Sequence, residues 1–177
     1  MVIHHRRRAV CHWCGMTQSV PQRCPDCGSS ALNDSGVGTQ QLETLCKERF
    51  PQARVGRLDS DTAQSTKRLE HILGAVADGD INLLVGTQML AKGHDLPGVT
   101  LVGVICADQG LRIPDPRCSE RCFALLTQVA GRAGRAERPG RVIFQTFDPE
   151  HQAIVAAVNN DGPGFLEQEL RRRQQLA

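Results

Sequence analysis

The stretch Leu83-Leu-Val-Gly-Thr-Gln-Met-Leu-Ala-Lys-Gly-His-Asp-Leu-Pro-Gly98 decides the fold of this chain. Its first residues, Leu83 to Val85, read as a short apolar strand that opens at Gly86 into a loop bearing Thr87, Gln88, Lys92, Gly93 and Asp95. An α/β sheet presents ligand groups in this way, at the carboxyl ends of its strands. Thr87 can donate to a phosphate oxygen; Asp95 can accept from a ribose hydroxyl or close its own turn. A second apolar strand, Thr100 to Ala107, follows and ends in Asp108.

Downstream, a helix is expected from about Cys118 to Ala130, apolar along Phe123, Leu125, Leu126 and Val129. It runs into Gln128-Val-Ala-Gly-Arg132-Ala-Gly-Arg135. Gly131 and Gly134 are expected to turn the backbone and bring it close to a neighbouring surface without a Cβ clash. Arg132 and Arg135, delivered from a helix end, suit a phosphate whose charge grows during transfer, as an arginine finger does. The plainer alternative is an arginine pair on a solvated face; Gln128 and the two glycines argue for the phosphate.

Outward from these stretches, helix and strand alternate. Thr39 to about Phe50 is an amphipathic helix stopped by Pro51. Arg54 to Leu58 is a short strand, and Asp59-Ser-Asp-Thr62 can cap a helix near Ser65 to Val76. A strand at Arg141 to Thr146 precedes a helix from Asp148 to about Val158, broken by Gly162-Pro-Gly164, and an arginine-rich helix from Phe165 to Leu176. Such alternation means a parallel sheet covered by helices on both faces. Ser29 to Gly38 is small and polar and reads as a linker. The expected organisation is a cysteine-rich segment over 1–34, the α/β lobe over 35–160, and the start of a further domain over 161–177.

Eight cysteines divide into two groups. Cys46, Cys106, Cys118 and Cys122 fall in apolar or helical pattern and read as small buried hydrophobes. Cys11-His-Trp-Cys14-Gly and Cys24-Pro-Asp-Cys27-Gly are two CxxC turns, each aiming two thiolates at one point; nine residues between them allow a tetrahedral zinc site of four thiolates.

The 177 residues suffice for one ordinary core with a small appendage. A net charge of +2 gives no global polyanion signature, so any nucleic-acid surface is a local patch. With no Tyr, one Trp and five Phe, aromatics are scarce, which argues against a stacking platform for single strands in this chain. No apolar run is long enough to span a membrane, and no secretory apolar core follows Met1; a cytoplasmic location is expected. His4, His5 and Arg6 to Arg8 read as a ragged solvated terminus or a nucleic-acid contact.

The order strand, GTxxxxxGxDxP loop, strand, helix and QxxGRxGR resembles the second motor domain of superfamily 2 helicases. GTQMLAKGHDLPGVTLVGVICAD, then GLRIPDPR, then LLTQVAGRAGR, resemble more narrowly the bacterial replication-restart helicase family, primosomal protein N′ (PriA). So do GVGTQQLETLCKERFPQARVGRLDSDT and the CxxC turns before it, and the resemblance runs from about Arg6 to about Arg173. It implies a RecA-like lobe behind a small zinc-ribbon-like segment, within an ATP-dependent 3′→5′ DNA helicase that restarts stalled forks and assembles the primosome. Arg135 would contact the γ-phosphate, with Arg132 supporting it and Gln128 coupling nucleotide to the domain interface. Gly93 and Asp95 would lie near the nucleotide sugar. Thr87 would grip a DNA phosphate supported by Gln88 and Lys92, and Thr39 would either meet a second phosphate at its helix N-terminus or simply begin the helix.

No GxxxxGK[ST] loop occurs, so ATP and Mg²⁺ are expected only together with a first lobe, and this piece is not expected to hydrolyse ATP by itself. The family's zinc module carries twice these cysteines around two interleaved zinc ions; the four here are expected to re-pair around one Zn²⁺. Implied partners are forked or single-stranded DNA, bound without sequence specificity, and replication-restart and single-strand-binding proteins, with no membrane. The alternatives are a non-catalytic zinc or DNA-binding partner module, and a lobe of another superfamily 2 helicase.

Overall fold

The computed structural model describes residues 2–4, 8–10, 16–30, 38–59, 66–91, 96, 98–134 and 139–176. The chain divides into two compact units, Met1–Val37 and Gly38–Ala177. In the first, β1 (Val2–His4), β2 (Arg8–Val10) and β3 (Thr17–Ser19) form an antiparallel meander in that order. Val2 lies opposite Val10, and Arg8 opposite Ser19. Of the ragged terminus expected over His4 to Arg8, His4 and Arg8 are instead paired in strands, because short hairpins satisfy backbone groups that a lone terminus leaves to water; His5, Arg6 and Arg7 lie outside the described residues.

The second unit contains α1 (Thr39–Arg49), β4 (Val55–Leu58), α2 (Thr66–Ala77), β5 (Leu83–Gly86), β6 (Leu101–Val104), α3 (Cys118–Ala130), β7 (Arg141–Phe144), α4 (Gln152–Asn159) and α5 (Gly162–Leu176). β4 pairs in parallel with β5, setting Leu58 opposite Gly86. β6 pairs in parallel with β7, setting Leu101 opposite Arg141 and Val104 opposite Phe144. Parallel neighbours need a crossover, and α2 and α3 are those crossovers, so the α/β class with parallel strands and covering helices holds. Within this unit the described strands hydrogen-bond as these two pairs.

The larger core gathers Ala107, Cys122, Leu126, Ala153, Ile154, Ala156, Ala157 and Phe165, with Val104, Phe123 and Phe144 packed against it. Phe123 and Phe165 stack at 4.4 Å between ring centroids, 16° from parallel. Val104 and Phe144 thus face the helices, while Leu101 and Ile143, one residue out of phase in period two, stay more than half exposed. Of the four scattered cysteines, Cys122 is buried and Cys46, Cys106 and Cys118 are half-buried.

Two helix starts differ from expectation. Asp148-Pro-Glu150 is a turn, and α4 begins at Gln152 behind His151, whose Nδ1 accepts from the Ala153 N–H at 3.1 Å. The break expected at Gly162-Pro-Gly164 lies earlier: Asn160 ends α4 with φ of +53°. Asp161 Oδ1 then accepts from the Gly164 N–H at 2.9 Å, so Gly162–Gly164 is the first turn of α5, where proline removes no helical hydrogen bond. Among the described residues, no helix is long and apolar enough to cross a membrane.

Candidate nucleotide and nucleic-acid interface

α3 delivers the glutamine and arginine stretch. Gln128 is exposed in its last turn, and Arg132 is half-buried just beyond its end. Arg132 Nη2 donates to the Ala91 carbonyl at 3.0 Å, joining two segments 41 residues apart. Ala91 ends the short 3-10 turn Gln88–Ala91 that follows β5. The two stretches singled out in the sequence are therefore in direct contact. The expected glycine roles separate: Gly134 adopts φ of +77° and its N–H donates to the Val99 carbonyl at 3.2 Å, whereas Gly131 has φ of −65°, open to any residue. Arg135, Lys92, Gly93 and Asp95 lie outside the described residues.

At the carboxyl end of β5, a Cβ on Gly86 would run into the Leu58 carbonyl oxygen, so only glycine fits where the two strands close. Thr87 follows, exposed, with Gln88 also exposed. The Leu90 N–H donates to the Thr87 carbonyl at 3.0 Å, and the Met89 N–H approaches Thr87 Oγ1 at 3.5 Å, the outer limit of a hydrogen bond. Next door, β4 ends at Leu58 and is followed by Asp59; they are 0 % and 4 % exposed. Asp59 Oδ2 accepts from Thr39 Oγ1 at 2.6 Å and pairs with Arg57 Nη1 at 3.1 Å; Arg57 Nε also meets Glu43 Oε2 of α1 at 3.1 Å. The Thr39 hydroxyl thus already has an anionic acceptor, and what α1 offers a phosphate there is its first backbone N–H groups. Asp59 and Thr87 each follow directly after the last paired residues, Leu58 and Gly86. Asp59 is thus more than the helix cap its sequence position suggests, and Arg57 joins it without having stood out in the sequence. Their signal was present: two opposite charges two positions apart, Arg57 in the strand and Asp59 just past its end.

Asp108, which the sequence marks only as the end of a strand, is a buried junction. Its Oδ1 accepts from Thr146 Oγ1 and from the Phe147 N–H, each at 3.1 Å, and its Oδ2 accepts from Arg112 Nη2 at 3.0 Å. Burial pushes its carboxyl upward, yet the Phe147 N–H, its own N–H, the Thr146 hydroxyl and Arg112 outweigh this and hold it below the usual carboxylate range.

In the first unit, Cys24 and Cys27 flank a turn in which the Gly28 N–H donates to the Cys24 carbonyl at 2.9 Å and Gly28 takes φ of +69°. The Cys24 thiol is lowered, first by the Cys27 N–H and then by that of Asp26. Donors arranged around a sulfur favour a thiolate ligand, so this turn fits one half of a tetrahedral thiolate site. Cys11 and Cys14 lie outside the described residues, among which no three metal-ligating side chains cluster. A separate cleft of about 570 Å³, lined by Thr127, Val142, Phe144, Ile154, Val158 and Asn160 among others, contains none of the residues expected to bind ligand.

The family described as helicase conserved C-terminal domain matches residues 35–137. Replication restart protein PriA of Bacillus subtilis is 45% identical over 174 residues, which are 97% of this chain and 22% of that protein. The Treponema pallidum and Haemophilus influenzae proteins of the same name are 44% and 41% identical, over 98% and 97% of this chain and 26% and 24% of their own lengths. This chain therefore spans about a quarter of the curated relatives it matches. Among solved structures, the C-terminal domain of the DEAD-box protein Dbp5 superimposes with a TM-score of 0.50 at 22% identity, covering 72% of this chain and 67% of that one. That likeness speaks for the fold alone.

Proposed function

This chain belongs to the helicase conserved C-terminal domain family, and from that premise we propose that it is the second motor lobe of an ATP-dependent 3′→5′ DNA helicase that restarts stalled replication forks and assembles the primosome. The observation that carries this reading is the 3.0 Å bond from Arg132 to the Ala91 carbonyl. A motor must couple the group that senses nucleotide to the loop that holds the track, and this bond joins the arginine segment to the loop that begins at Thr87. Arg135 would act on the γ-phosphate, Arg132 would support it by holding the loop in place, and Gln128 would face the other lobe. Gly93 and Asp95 would meet the nucleotide sugar. Thr87, with Gln88, Lys92 and the start of α1 at Thr39, would hold DNA phosphates. Such contacts carry no sequence information, which suits movement along any sequence.

ATP and Mg²⁺ would be held only with a first lobe, and Cys24 and Cys27, together with Cys11 and Cys14, would hold Zn²⁺. Partners would be forked or single-stranded DNA, replication-restart proteins and single-strand-binding protein, in the cytoplasm where the forks are. The test places this chain in the matching segment of the Bacillus subtilis relative and measures ATP turnover with and without single-stranded DNA. Arg135→Ala should lower turnover by roughly 10³-fold, the scale of a trans-supplied arginine, with little change in DNA affinity. Thr87→Ala should weaken DNA stimulation while basal turnover survives. Identical profiles for the two variants would refute this division of roles.

A further inference from the structure

Phe147, at 69 % exposure, is the most exposed large apolar side chain among the described residues, yet it is held in place. Its N–H is bonded to the buried Asp108 carboxylate at 3.1 Å. The other oxygen of that carboxylate holds Arg112, whose guanidinium carbon stands 5.8 Å from the Phe147 ring centroid. One buried anion therefore fixes both the backbone beneath the ring and the cation beside it. The assembly sits just past the carboxyl ends of β6 and β7, the edge at which open α/β sheets meet their ligands.

We propose that Phe147, flanked by Arg112, is a stacking contact for one unpaired nucleobase of single-stranded DNA. This rests on the nucleic-acid-motor reading above and adds to it a contact with a base rather than a phosphate. The local charge selects that ligand part. Arg112 is matched by Asp108 at 3.0 Å, and the next acids along the chain, Asp148 and Glu150, are exposed. Arg112 is neutralised by Asp108 and followed along the chain by acids, which disfavours a phosphate there, whereas a rigid ring with a guanidinium at its side suits a flat uncharged π-face. Stacking tolerates any base, and one ring makes a single contact where the scarcity of aromatics argued against a whole platform.

The experiment measures binding of a labelled oligothymidylate by the 177-residue chain at several salt concentrations. Phe147→Leu keeps apolar bulk but removes the π-face and should weaken binding roughly five- to hundredfold. The salt dependence should stay unchanged, because a base contact releases no counterions. Phe147→Trp should bind at least as well as the parent, and its added indole emission should be quenched by DNA beyond any change from Trp13. Thermal melting should be the same for all three proteins, since the ring is mostly in solvent. Parent-like affinity in Phe147→Leu, as a protein-docking role for the ring would give, overturns the stacking contact and leaves the motor reading standing, as does an unquenched indole. Failure of the parent chain to bind the oligonucleotide also overturns the stacking contact, while the motor reading stands or falls on the turnover test above.

Discussion

Asp108 shows at the scale of one residue how a buried charge is kept. Its two oxygens accept from Thr146, Phe147 and Arg112, so ionisation is retained despite near-complete burial. Because its folded carboxyl lies below the ordinary value, the unfolded chain binds the proton first as pH falls. The stabilisation is therefore complete above the ordinary aspartate range near pH ~4 and is lost as pH drops through the folded value. Urea midpoints measured from about pH 7 to about pH 3 should fall more steeply for the parent than for Asp108→Asn. The variant should start lower at neutral pH, because asparagine cannot pair with the Arg112 charge. Cys122 shows the opposite case: burial, with Asp108 and Cys118 nearby, pushes its thiol up to about 11, and its Sγ donates to the Ala107 carbonyl at 3.3 Å. This matches the small buried hydrophobe read from its apolar surroundings. Asp108 could not be recognised in the same way, because its partners lie up to 39 residues away.

At the scale of elements, α3 connects core to site. Phe165 of α5 stacks on Phe123 of α3. Arg173 of α5 bonds Glu120 at 2.7 Å and the Pro116 carbonyl at 3.2 Å near the helix start, and Arg132 holds Ala91 beyond its other end. Phe165→Ala should cost about 3–5 kcal/mol in urea unfolding, the usual range for emptying a buried aromatic site. His151→Ala, which removes only the α4 cap, should cost about 1 kcal/mol, and His151→Asn should recover most of it. A loss for Phe165→Ala no larger than that for His151→Ala would mean that α5 is peripheral. The span of α3 was legible because its apolar residues recur at helical spacing. The start of α5 was not, because Gly-Pro-Gly marks a break until Asp161 is seen to cap it.

For the molecule as a whole, the 177-residue chain by itself should release no phosphate from ATP above the buffer blank, with or without DNA, since its sequence has no phosphate-cradling GxxxxGK[ST] loop. Clear turnover abolished by Arg135→Ala would count against the second-lobe reading. Elemental analysis should give about one zinc per chain at most, the ceiling set by four ligands per structural site; two would mean that ligands come from elsewhere. The sequence by itself determined the α/β class, the order of helices and strands beyond Gly38 and the two stretches that meet at Arg132, because period, strand-end glycines and motif spacing are local properties written along the chain; the three-stranded meander of the first unit was not read from it. Only the tertiary structure decided that Arg132 grips the Ala91 carbonyl, that Asp59 takes the Thr39 hydroxyl, and that Asp108 holds Phe147 out in solvent beside Arg112. These contacts join residues 20 to 41 positions apart. No local pattern encodes them; they exist because parallel strand pairing brings distant carboxyl ends to one edge, where buried charges must find their partners.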